Sequence, residues 1–112
     1  MAQRLAQAES LVKQDQWADA SAAFVVAVRS LPAAHPLIPR AARGLAFALA
    51  QLTASAPPED RIRARIQASE MVASSPHAQA VLYGDVGALY CEAGHFLVAL
   101  DFLRRAVSLD PR

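Results

Sequence analysis

Apolar residues recur three and four positions apart along most of the chain, and polar or proline-bearing breaks separate the runs. Leu5, Ala8, Leu11 and Val12 lead on to Ala20, Phe24, Ala27 and Val28, interrupted only by the polar turn from Lys13 to Gln16. This is the period of amphipathic helices, here two of them joined as an αα-hairpin. A second run passes through Ala41, Leu45, Ala48, Leu49 and Leu52 behind Pro36 and Pro39, which suit a helix start, and the segment SAPPED at 55–60 ends it. Glu59 and Asp60 then supply first-turn acids for a helix carrying Ile62, Ile66 and Met71, closed by Ser74, Ser75 and Pro76. A fifth helix is predicted from about Ala78 to Ala93 with Gly94 as a left-handed stop, and a sixth from Phe96 to Leu109. No stretch alternates with period two, so the predicted class is all-α.

The chain also repeats itself. Shifted by 79 residues, Ala8, Leu11, Trp17, Ala20, Phe24, Ala27 and Pro32 fall on Gly87, Tyr90, Phe96, Ala99, Leu103, Ala106 and Pro111. Small residues such as Gly87 and Ala99 let two helices touch, and Tyr90, Phe96 and Leu103 fill the space to either side. This pattern resembles the tetratricopeptide repeat (TPR). That family places a small residue and an aromatic in the first helix, then an aromatic, alanine, a bulky apolar residue and alanine in the second, with a closing proline. The segment from Ala80 to Arg112 resembles it most closely, with Tyr83, Val86, Gly87, Tyr90, Gly94, Phe96, Ala99, Ala106 and Pro111 all of the expected type. The resemblance implies one TPR-like domain over 1–112, with repeats at about 1–34, 37–77 and 78–112, whose three hairpins and six helices wind into an α-solenoid.

The middle hairpin departs from the pattern. Ala64, Ala68, Met71 and Pro76 keep the gaps of a second helix, but the first helix lies six residues too far upstream if Ala46 and Leu49 are the matching pair. A register on Gly44 and Phe47 puts Arg40 and Arg43 into the packed seam, which is costly for unpaired charge, so Ala46 and Leu49 are preferred.

In TPR proteins the first helices line a concave groove that holds an extended or helical peptide. Carried over, the groove is lined by Leu5, Glu9, Val12 and Lys13, by Arg40, Arg43, Phe47 and Gln51, and by Gly84, Asp85, Ala88, Cys91 and Glu92. Arg40, Arg43 and Phe47 share a helical face, and a forked cation beside an aromatic suits an acidic group or a C-terminal carboxylate. The competing account is a solvated face with Phe47 in the core. The TPR subfamily that clamps acidic chaperone tails with Lys, Arg and Asn is disfavoured, because the chain has no asparagine and Asp85 stands where a neutral or positive group is wanted.

The function implied is non-catalytic protein–protein interaction: an adaptor, assembly factor or small chaperone holding a peptide or helix of another protein. One alternative is a structural homo-oligomer. Ala18, Ala22 and Val25 or Val26 form an apolar stripe where TPR helices are polar, while Leu100, Val107 and Leu109 lie on the face a following repeat covers. A tilt that buries the valines inside the fold accounts for that stripe equally well. The other alternative is a piece of a larger TPR-containing regulatory protein or enzyme.

Composition narrows the partners. A chain of 112 residues is one domain, able to bury roughly two thirds of its unfolded surface. Eleven Lys and Arg against ten acidic residues leave a net charge of +1, too little to grip a nucleic-acid backbone. The single cysteine, Cys91, forms no intrachain disulfide and fits a reducing compartment. The first ten residues hold Arg4 and Glu9 and no apolar leader core, and the uncharged run from Gly44 to Pro58 is too short for a bilayer, so the expected location is cytoplasmic without membrane insertion.

Reactive chemistry is sparse. No convergent acid, base and nucleophile stands out, and no catalytic residue, cofactor or metal is expected. His35, His77 and His95 adjoin Pro or Gly and read as loop and turn residues. Cys91 and His95 are separated by the helix-breaking Gly94 and are two ligands short of a zinc site, and Cys91 has no adjacent base. Gly84 to Gly87, GDVG, has the spacing of an RNA-binding KH loop but lies within a helical period without a basic run. Arg61, Arg63 and Arg65 form a short basic run in which Arg61 and Arg65 share a face, either solvated or turned to an acidic surface.

Overall fold

Breakers and periodicity act locally, and the helices begin and end where they dictate. The computed structural model describes residues 2–110. It contains α1 (Ala2–Lys13), α2 (Trp17–Ser30), α3 (Ile38–Leu52), α4 (Pro58–Met71), α5 (Pro76–Glu92) and α6 (Phe96–Leu109), with no strand among the described residues. Proline occupies the first turn of α3, α4 and α5, where its missing N–H leaves no bond unmade. Ser75 caps α5 by accepting from the Ala78 N–H at 3.3 Å. His77 therefore lies in the first turn of α5, a correction to its reading as a loop residue, with Nδ1 2.5 Å from the Asp110 carboxylate beyond α6.

The repeat extends to individual hydrogen bonds. α2 and α6 have identical lengths and lie 79 residues apart at both ends. Asp15 and Gly94 hold the same place in the two turns, and both are left-handed, with φ of 57° and 83°. The Gln16 N–H donates to the Leu11 carbonyl at 3.0 Å as His95 N–H does to Tyr90 at 2.9 Å; Asp15 and Gly94 donate to Val12 and Cys91, both at 3.1 Å. Such bonds close the last turn of a helix and aim the chain back along it. The closing Pro111 of the repeat pattern, and Arg112 after it, lie outside the described residues.

Neighbours in sequence are neighbours in space: α1 packs on α2, α2 on α3, α4 on α5 and α5 on α6, and α3 also reaches α5. The radius of gyration is 13.4 Å, against about 13 Å for a compact globule of this length. Phe24, Val28, Ile38, Leu45 and Leu82 are fully buried among small residues such as Ala8, Ala20, Ala41 and Ala48. Burying a ring the size of Phe24 contributes about 2–3 kcal/mol. Gly44 makes room for that ring, while Gly87 faces Leu103 and the Ala99 backbone carbonyl, which stands 3.3 Å from where a Cβ would be. No helix among the described residues is long and apolar enough to cross a membrane.

The middle pair is the exception. α3 and α4 touch only sparsely, because α3 turns its buried face, Ile38, Ala41, Ala42, Leu45, Ala48 and Leu49, towards α2 and α5. Hydrogen bonds join the pair at its tip instead: the Arg61 guanidinium donates to the Ala54 and Ala56 carbonyls at 2.7 and 2.9 Å, and Arg65 Nη1 donates to Thr53 Oγ1 at 3.2 Å. Of the register positions on α3, Leu49 is buried, Gly44 and Ala46 are half-buried and Phe47 is exposed. One expectation is corrected. Arg61 and Arg65 serve the α3–α4 connection, and Arg65, 6% exposed, is no outward basic face.

Candidate functional site

α1 and α3 both pack on α2, and residues of all three border a recess of about 490 Å³. Its floor is apolar, formed by Val12, the Phe24 ring and Gly44, and its rim carries Glu9, Lys13, Arg40, Arg43 and Phe47. Helical spacing produces the rim: Glu9, Val12 and Lys13 fall on one side of α1 and Arg40, Arg43 and Phe47 on one side of α3.

Two contacts shape this rim. Glu9 receives Arg40 in a forked pair, Nε to Oε2 at 2.6 Å and Nη2 to Oε1 at 2.7 Å. The hydrogen bond from Arg40, reinforced by the carboxylate's charge, holds the guanidinium more firmly protonated than usual. Arg43 and Lys13 have no ion pair among the described residues, so two of the three cations remain available to an incoming anion. Phe47, 48% exposed, meets the edge of Trp17 with ring centroids 5.7 Å apart. Trp17 was not among the groove positions inferred from the sequence, although its place at the start of α2 opposite Phe47 brings it to the rim.

Six of the inferred groove residues thus gather at one recess: Glu9, Val12, Lys13, Arg40, Arg43 and Phe47. The rest do not. Leu5 is 3% exposed and belongs to the core, because α1 turns it with Ala8 inward. Gln51 is exposed one turn beyond Phe47, and Gly84, Ala88, Cys91 and Glu92 lie along α5 away from this recess. Asp85 sits near the buried Arg65 of α4; burial pushes its carboxyl above the ordinary range, and Arg65 pulls it part of the way back. Burial likewise lowers Arg65, whose Nε finds no partner among the described residues.

A second recess, of about 530 Å³, went unread in the sequence. It lies between α4 and the turn joining α5 to α6, with Ile62, Ile66, Tyr90 and His95 on its walls. Ile62 and Ile66, four apart on α4, are the signal that marks it. Of the positions read as an assembly face, Val25 is buried against α3 and α4, while Val26, Leu100 and Val107 are exposed and Leu109 half-buried. Among the described residues no group of three or more His, Cys, Asp or Glu could hold a metal ion.

No family model matches the chain. No curated protein and no solved structure matches it either.

Proposed function

We propose that this chain is a non-catalytic interaction module whose hairpins stack in the TPR manner and whose α1–α3 recess holds a peptide or helix of another protein. The observation that carries the reading is the convergence of Lys13, Arg40 and Arg43 with Phe47 on an apolar floor, from two helices distant in sequence. An apolar floor supplies affinity through burial, and a cationic rim selects the partner and sets its register. Glu9 already occupies the fork of Arg40, so Arg43 and Lys13 receive the ligand's anionic group while Val12 and Phe47 take an adjacent apolar side chain. Such a site recognises acidic-apolar segments and needs no reactive centre. The exposed, unpaired Cys91 suits a reducing cytoplasm.

The test is affinity capture from a cell extract with the wild type and with Lys13→Glu/Arg43→Glu, both shown folded by circular dichroism. A partner retained by the wild type and lost by the variant supports the site, and identical partner sets refute it. Trp17, the single tryptophan, lies against Phe47 and reports direct titration of the captured segment by its fluorescence.

A further inference from the structure

α4 is seated differently from the helices before it. α2 turns Ala20, Phe24, Val25, Ala27 and Val28 inward, and the inward residues of α3 are apolar too, whereas those of α4 are Ile62, Arg65, Ala68 and Ser69, half of them polar. Both flanks of α4 are also open. Ile62 and Ile66 border the recess of about 530 Å³ that Tyr90 and His95 share, while Ala64 and Met71 border a crevice of about 250 Å³ together with Val25 and Leu49.

The two ends of α4 are held unequally. Towards the C-terminus, Ala68 and the following Val72 belong to the core with Leu49, Ala78 and Leu82, and Gln79 of α5 donates to the Ser69 carbonyl at 3.3 Å. Towards the N-terminus, Ile62 is the sole buried apolar residue, and the grip comes from Arg61 on the Ala54 and Ala56 carbonyls and Arg65 on Thr53. The link at 54–57 is exposed apart from the half-buried Ala56.

Arg65 is the costly member of that grip. It is 6% exposed, its Nε has no partner among the described residues, and Asp85, near it on α5, makes no ion pair there. A buried charge with incomplete hydrogen bonding retains much of its desolvation penalty. Lifting this half of α4 exposes one isoleucine and returns water to Arg65 and Asp85. Segments with so few buried apolar contacts are the ones that open locally, ahead of the whole domain.

We infer that residues 58–66 form a strap that lifts off α5 as a unit while Ala68 and Val72 stay in the core, and that the Arg65–Thr53 hydrogen bond is its latch. Lifting joins the recess beside Tyr90 to the seam in front of Asp85, which makes a cleft along α5 that exists only in the open state. The strap is separate from the α1–α3 recess and does not depend on it.

Native-state hydrogen exchange, followed by NMR on the full-length protein, tests the strap. A lifted helix this short is marginal in water, so its amides exchange on opening. Residues 62–66 should be protected about tenfold less than residues 24–28 of α2, and dilute urea should speed exchange in α2 while barely changing it in the strap, because local opening exposes little surface. Thr53→Val removes the latch's acceptor and lowers strap protection several-fold; Arg65→Met/Asp85→Leu exchanges the buried charges for apolar side chains and raises it about tenfold. Circular dichroism verifies that the variants fold, and the urea comparison on the wild type stands without them. The inference is overturned if strap and α2 share one protection factor and one urea dependence, or if either folded variant leaves strap protection unchanged.

Discussion

The Phe24 ring fills the space that a Cβ on Gly44 needs. The ring is fully buried, so it cannot swing aside, and Gly44→Ala overpacks the α2–α3 contact at a cost of about 1–3 kcal/mol. That outweighs the roughly 1 kcal/mol by which alanine surpasses glycine inside a helix. Gly84 has open space around it, whereas a Cβ on Gly87 meets Leu103 at 2.8 Å and the Ala99 backbone carbonyl at 3.3 Å, so thermal melts should rank Gly84→Ala above wild type and both Gly87→Ala and Gly44→Ala below it. Gly44→Ala melting at or above wild type contradicts the packing described.

Asp15 and Gly94 share one left-handed turn geometry but differ in what it costs them. A left-handed conformation strains an ordinary L-residue by about 1–2 kcal/mol and glycine hardly at all. Asp15→Gly is therefore neutral to stabilising, and Gly94→Ala destabilises, each read by chemical denaturation. Equal effects of the two exchanges argue against equivalent turns.

Asp85 carries a pH signature. Burial raises its folded-state pKa above the ordinary value of 3.8, so the folded protein binds this proton more tightly than the unfolded chain. Its contribution to stability is most favourable below 3.8 and falls as pH climbs through the raised value, leaving ionised Asp85 a burden at neutral pH. Asp85→Asn should accordingly melt higher than wild type at pH 7, with the gap closing at pH 3. A gap of equal size at both pH values removes the carboxylate as its cause.

Glu9 shields Arg40 from an incoming anion. The pair is on the surface, where exposed salt bridges add little to stability, so Glu9→Gln leaves the melting temperature essentially unchanged. It frees a third cation at the recess and should tighten binding of an acidic peptide captured by the wild type, measured through Trp17 fluorescence. Weaker binding by Glu9→Gln makes Glu9 a ligand contact instead.

Local signals in the chain determined the six helices, their breaks and the paired turns at Asp15 and Gly94, because three- and four-residue periodicity, proline in a first turn and left-handed stops act within a few residues of themselves. They also placed Glu9, Lys13, Arg40, Arg43 and Phe47 on outward faces. Tertiary packing decided which face met which neighbour. Leu5 and Val25 carried the same apolar signal as exposed residues and went inward, Arg65 lay in a basic run and was buried, and α3 turned from α4 to α2 and α5. Phe24 and Leu103 occupy one position of one pattern and each meets a glycine, Gly44 and Gly87, yet the first is fully buried and the second 39% exposed. Periodicity specifies that a helix has an apolar side, but burial depends on a second surface arriving from elsewhere in the chain, and only the three-dimensional arrangement supplies it.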